Sequence, residues 1–103
     1  MKILITGSTG YLGSRAIAQL AARGDAHLFG IDLNSPRDAH HYSVFRQGSV
    51  TDVDAMGRLF DTARPDVAVH LAFVVNPLHD RAREEMIDRE GTRIFLDLSL
   101  IHI

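Results

Sequence analysis

The sequence predicts an α/β fold: a parallel sheet with helices on both faces, strand order 3-2-1-4, half of a doubly wound sheet. Three observations predict it. Short apolar strand-like runs alternate with amphipathic helical runs along the whole chain, which is how parallel strands with covering helices read in sequence. A turn with three glycines, Gly7, Gly10 and Gly13, joins the first strand directly to the first helix. An acidic residue, Asp32, closes the second strand about twenty residues beyond the last of those glycines.

Each element has its own signal. Lys2 to Thr6 is β-branched and apolar, a first strand. The first helix is expected from about Tyr11 to Arg23, with Leu12, Ala16, Ile17 and Leu20 on one apolar face, and Gly24-Asp25 ends it. His27 to Asp32 is the second strand, followed by a polar loop, Leu33 to Ser43, that has no periodicity. Val44 to Gln47 is a brief third strand. Ser49 or Thr51 is the expected cap of the next helix, where Val53, Met56, Leu59 and Phe60 share one side. Arg64-Pro65-Asp66 turns the chain into a fourth strand, Val67 to Leu71, and Pro77 breaks the loop after it. A last helix is expected from about Asp80 to Leu98, with Met86, Ile87, Ile94, Phe95 and Leu98 available for burial and Gly91 permitting a close neighbour.

Right-handed crossovers give the 3-2-1-4 order and put a ligand outside the carboxyl ends of the first and fourth strands. The glycine turn suits a pyrophosphate there. Amides at a helix start have no intrahelical partner, and the helix dipole adds positive partial charge at the same point. A side chain at Gly7 or Gly10 would block the turn or hold phosphates away, and Gly13 lets the helix approach the sheet. Asp32 is placed to accept hydrogen bonds from an adenosine ribose and to repel a 2′-phosphate, favouring NAD over NADP. The expected arrangement is therefore a Rossmann-type dinucleotide-binding domain spanning residues 1–103.

Composition narrows the classes. The chain has 103 residues, 46% of them hydrophobic and 23% charged, enough for one domain with a core. A formal net charge of −2, with both signs mixed along the chain, argues against nucleic acid or an anionic membrane as a partner. There is no cysteine, which removes disulfides and thiolate chemistry. No apolar run has bilayer-spanning length, and glycines interrupt the N-terminal apolar stretch before it resembles a cleavable leader. Cytoplasm is the expected location. Six histidines include the pair His40-His41, but adjacent loop residues do not converge on one ion without further ligands, so no metal site is expected. His70 reads as a strand residue packed near the cofactor, Arg37 as a solvated loop arginine, and Arg81 to Arg93 as a charged helix face with Glu/Arg pairs.

Ile3-Leu-Ile-Thr-Gly-Ser-Thr-Gly-Tyr-Leu-Gly13, Val69-His-Leu-Ala72 and Asp88-Arg-Glu-Gly-Thr92 together resemble the N-terminal half of the extended short-chain dehydrogenases/reductases, the NAD-dependent epimerase/dehydratase family. The resemblance implies that Ser8, Thr9, Gly10, Tyr11 and Leu12 surround the diphosphate and that Asp32 holds the ribose. It implies that Ser49 and Val50 lie near adenine, and that Leu71, Ala72 and Phe73 face the ribose and diphosphate. Two positions depart from the family pattern: Ser49 stands where Asp is usual, and Asp88 where Asn is usual. A small-molecule substrate, with sugar nucleotides as the family's commonest class, is implied for a full-length relative.

The family's chemistry uses a Tyr-x-x-x-Lys pair, in which lysine and cofactor lower the tyrosine pKa for proton exchange as hydride moves. Tyr11, Tyr42 and Lys2 are the only such residues here and none has that spacing, so the chain is expected to lack catalytic residues and to be inactive alone. Two other classes compete: a non-catalytic nucleotide-binding or sensing module, and a methyltransferase-like domain, which would carry an acid at Thr6 and another glycine spacing. Self-association is expected through the fourth strand, an apolar edge, or through a last helix with Leu98, Leu100, Ile101 and Ile103.

Overall fold

The computed structural model describes residues 1–73 and 81–102. Four parallel strands, β1 (Lys2–Thr6), β2 (His27–Asp32), β3 (Val44–Gln47) and β4 (Val67–His70), lie in the order β3-β2-β1-β4. Three helices, α1 (Tyr11–Arg23), α2 (Val53–Ala63) and α3 (Arg81–His102), make the connections or follow the last strand. The expected 3-2-1-4 order is the observed one. Register runs Ile3 beside Leu28 and Val67, and Thr6 beside Ile31 and His70, so all three strands end at one level. That common edge is where parallel sheets of this kind bind ligands.

The period of two along β1 divides the core. Leu4 points to the face covered by α2 and α3, packing with Phe29, Ile31, Met56, Leu59, Phe60, Ile94 and Phe95. Ile3 and Ile5 point to the other face with Leu28, under Ile17 of α1. Each such buried side chain stabilises the fold by about 1.5–3 kcal/mol relative to exposure. At the opposite end of the strands, Asp66 ties β4 to β1. Its carboxylate accepts from the Lys2 amide at 2.8 Å, and its own amide donates to the Lys2 carbonyl at 2.8 Å.

The helix boundaries show where local chemistry won. Gly24 ends α1 in the left-handed region at φ 77°, its N–H bonding the Ala21 carbonyl. α2 is capped by Asp52, not by Ser49 or Thr51: the Asp52 carboxylate accepts from the Ala55 amide at 3.1 Å. Ser49 and Thr51 instead bond each other at 2.7 Å through their hydroxyls. An ionised carboxylate at the residue next to Val53 is the stronger acceptor. Val53 itself, in the first turn of α2, is exposed, and the buried face is Met56, Leu59, Phe60 and Ala63. Leu12 is likewise exposed, because the second residue of α1 still projects past the sheet edge.

The loop after β2 contains a single 3-10 turn, Ala39–His41. β4 ends at His70, one residue before the expected Leu71. α3 continues past Leu98 to His102; the expected Asp80 start, the Pro77 break and Ile103 lie outside the described residues. Along α3, Ile94 and Phe95 are buried while Met86 is half exposed. A Cβ at Gly91 would lie 2.6 Å from Val50 Cγ2, so that glycine does permit close approach. Arg93 bridges Glu90 and Asp97 on the exposed side, at 2.9 and 3.0 Å.

Candidate functional site

At the carboxyl edge of the sheet the chain leaves β1 through Gly7, whose amide donates to the Ile31 carbonyl at 2.9 Å. Gly7 has φ +68°, and a Cβ there would stand 2.7 Å from the Leu71 carbonyl group and 2.8 Å from the Ala72 nitrogen. Only glycine fits that left-handed turn against the end of β4. The Gly10 amide closes the turn on the Gly7 carbonyl at 3.2 Å. At Gly13 a Cβ would overlap the Gly7 carbonyl oxygen at 2.1 Å, so the first turn of α1 lies directly on the loop it follows.

Gly10 is the N-cap of α1 and offers no side-chain hydrogen bond to the helix. The first-turn amides therefore face outward with no side-chain acceptor from the cap, a fit for an anion. Arg15 lies 3.6 Å over the Tyr11 ring and donates to the Tyr11 carbonyl at 3.0 Å, bringing a fixed positive charge to the same helix start. Sequence reading passed over Arg15; its four-residue spacing from Tyr11 was the available signal.

A groove of about 1040 Å³ runs from this turn across the sheet edge. Gly7, Gly10, Tyr11, Leu12, Gly13, Asp32, Ser49, Val50, Leu71, Ala72 and Phe73 all line it. Eleven of the thirteen expected residues are thus brought together. Ser8 and Thr9 line an adjoining cavity of about 510 Å³ between α1 and the loop after β2, with Arg37 and Asp38. The Ser8 side chain is fully buried, near Gly30 and Tyr42, and its hydroxyl has no hydrogen-bond partner among the described residues. From Ser8 it is thus the backbone, not the side chain, that borders the turn.

Asp32 lines the larger groove. Its Oδ2 accepts from the Thr9 amide at 3.0 Å and its Oδ1 from the Leu33 amide, leaving each oxygen a further lone pair for a ligand hydroxyl. The Tyr42 hydroxyl donates to the Ser8 carbonyl at 3.4 Å, and burial pushes its pKa above the usual 10. Ser49 lines the far end of the groove, its hydroxyl engaged with Thr51.

His70 also lines the groove. Its Nδ1 is 2.6 Å from Thr6 Oγ1 and its Nε2 3.2 Å from Thr92 Oγ1. The ring stacks on Phe95 at 4.6 Å, and burial lowers its pKa from 6.5 while Asp88 opposes the shift. Sequence reading expected His70 beside the cofactor but not its two threonine partners. From α3, Arg83 and Ile87 also reach the groove; with Gly91 they recur at four-residue spacing, a legible helical face. Among the described residues no group of three or more His, Asp or Glu side chains is placed to hold a metal.

The profile of the NAD dependent epimerase/dehydratase family matches residues 3–98. The dTDP-glucose 4,6-dehydratase 1 of Escherichia coli K12 is 30% identical over 113 aligned positions, covering 98% of this chain and 28% of that protein. The dTDP-L-rhamnose 4-epimerase of Burkholderia thailandensis is 26% identical, covering 98% and 31%. The crystal structure of the Bordetella bronchiseptica enzyme WbmG, in complex with NAD and UDP, superposes with a TM-score of 0.83 at 30% identity, covering 96% of this chain and 33% of WbmG. The chain thus spans about a third of the length of these relatives. With the glycine turn, the Asp32 position and the sheet order all in place, this chain belongs to the NAD-dependent epimerase/dehydratase family.

Proposed function

We propose that residues 1–103 are the dinucleotide-binding domain of an NAD-dependent epimerase/dehydratase, and that the groove along the sheet edge holds NAD. The observation that carries this reading is the pairing of the uncapped α1 start with the Asp32 carboxylate across one groove. The diphosphate lies against the amides of the Gly7-to-Gly13 turn, with Ser8 contributing backbone only. Asp32 accepts from the adenosine ribose, Ser49 and Val50 border adenine, and Leu71, Ala72 and Phe73 face the ribose and diphosphate. A carboxylate at position 32 repels a 2′-phosphate, so NAD is preferred over NADP.

Bound NAD supplies a hydride acceptor and donor; the chain's own residues bind and orient it. The proton-exchanging tyrosine and lysine come from outside this sequence, so the chain alone is inactive. Two relatives are named for dTDP-linked sugars and WbmG was crystallised with UDP, which supports a sugar nucleotide as substrate of the full-length enzyme. No helix among the described residues is long and apolar enough to cross a membrane; a cytoplasmic location is a separate part of the proposal. Leu96, Leu100 and Ile101 on α3 and Val67 on the β4 edge expose apolar surface. They are proposed to mediate self-association, which a concentration-independent monomer mass in sedimentation would exclude.

Calorimetric titration with NAD and, separately, NADP tests the reading. Saturable binding with NAD preferred supports it. A folded chain that binds neither overturns it.

A further inference from the structure

The hydrogen bonds around His70 have only one consistent direction. Thr92 Oγ1 lies 2.6 Å from the Asp88 carbonyl oxygen, which carries no proton, so the hydroxyl must donate to it. With its proton committed there, Thr92 Oγ1 can only accept from His70 Nε2 at 3.2 Å. A neutral ring protonated on Nε2 presents a lone pair at Nδ1, and the Thr6 hydroxyl donates to it at 2.6 Å. Both lone pairs of Thr6 Oγ1 then accept peptide N–H groups, Leu71 at 3.1 Å and Ala72 at 3.3 Å. No donor or acceptor in the series is left without a partner.

The series ends on the groove floor. The Leu71 amide has a second acceptor, the Thr6 carbonyl at 3.1 Å, whereas Thr6 Oγ1 is the acceptor found for the Ala72 amide. The Leu71–Ala72 peptide is also the group packed against Gly7. We infer that His70 is a positioning residue: as the neutral, Nε2-protonated imidazole it fixes the Thr6 hydroxyl so that the Leu71–Ala72 peptide stays seated beneath the dinucleotide, and protonation of the ring unseats it and weakens binding.

The reason is a lone-pair count. An imidazolium would point N–H at Thr6 Oγ1, giving three donors for two lone pairs and leaving the hydroxyl proton without an acceptor. The amide with the weaker hold, that of Ala72, is then released. Burial opposes the imidazolium and agrees with this. The elements around the ring supply few charges. Asp88 on α3 favours the imidazolium, Arg83 on α3 and Asp32 at the end of β2 face the same groove, and Thr6, Phe73, Thr92 and Phe95 are uncharged. The inference rests on the cofactor reading above, and adds that α3, through Thr92 and Asp88, is coupled to the cofactor floor.

The test combines nitrogen NMR of the imidazole with NAD titrations of the chain and two variants between about pH 8 and pH 5. Below the ring's pKa, affinity that requires the neutral form falls by up to about tenfold per pH unit. The wild-type chain should show a pyrrole-type Nε2 and a pyridine-type Nδ1, and should lose NAD affinity as the pH falls. His70→Phe keeps a ring on Phe95 but strands the Thr6 proton, so it should bind NAD more weakly at every pH, without that slope. His70→Asn offers an amide oxygen to the Thr6 hydroxyl and does not titrate. It should restore affinity at high pH and keep it at low pH, and it decides the matter alone if His70→Phe does not fold. A pyrrole-type Nδ1, or a pH slope in His70→Asn equal to wild type, overturns the coupling while NAD binding stands. No NAD binding at any pH overturns the cofactor reading and the coupling with it.

Discussion

The Asp32 carboxylate reaches back from the end of β2 to accept the Thr9 amide at 3.0 Å, so the residue expected to read the ribose also braces the glycine turn expected to hold the diphosphate. Removing it should weaken both contacts. Asp32→Ala is expected to lower NAD affinity about tenfold to a hundredfold, the range for losing hydrogen bonds to a charged group. The preference for NAD over NADP should narrow at the same time, because the repelling charge is gone. Titrations with both cofactors check this, and unchanged NAD affinity would remove Asp32 from the site.

Gly7 and Gly13 predict two failures of different kind. Gly7→Ala places a methyl at φ +68° against the Leu71–Ala72 peptide, and Gly13→Ala places one on the Gly7 carbonyl. Backbone cannot swing aside as a side chain can, so each variant should be destabilised by about 1–3 kcal/mol or more and lose NAD binding. Gly57→Ala, where a Cβ meets nothing within 4 Å on α2, is the control and should be neutral or slightly stabilising. Thermal melts of the three proteins separate these outcomes.

Much of this was legible in the sequence because its signals were local. The first three strands and α1 begin and end where glycine, proline and the apolar periods place them, since those residues act on their own backbone. The α2 cap was misplaced by one to three residues because Ser49, Thr51 and Asp52 are all competent caps. Asp52 holds the cap as the stronger acceptor, and the Ser49–Thr51 hydroxyl pair, a contact that exists only once the turn has formed, engages the other two candidates. The burial of Leu12 and Val53 was overestimated for a related reason: periodicity gives a face, not where the sheet beneath it stops. In the site, Gly7 to Gly13 and Asp32 are adjacent in a known pattern. The His70 partners Thr6 and Thr92 are 64 and 22 residues away, and no sequence period connects them.

The Asp52 cap can be weighed directly. Asp52→Ala removes the acceptor for the Ala55 amide and should cost about 1 kcal/mol. For a domain of this size that lowers Tm by roughly 4–8 °C. Ser49→Ala should cost less in stability, because its hydroxyl bonds Thr51 and not the helix start. Equal losses in the two variants would return the capping role to Ser49.

Stability itself should carry the signature of His70. Burial lowers the ring's pKa in the folded chain from its usual 6.5, so between the folded value and 6.5 the unfolded chain binds the proton that the folded chain refuses. The stability tied to the neutral ring is therefore complete above pH 6.5 and is lost as the pH falls through the folded value. The sign is opposite to that of a histidine held by a carboxylate, which gains stability on acidification. Asp88 pulls in that opposite direction but is the smaller effect here. His70→Asn cannot titrate, so the difference in unfolding free energy between it and the wild type should widen in favour of the variant as the pH drops below 6.5. Urea denaturation at matched pH values measures that difference. A gap that stays constant across the range would mean the ring is not held neutral by the fold.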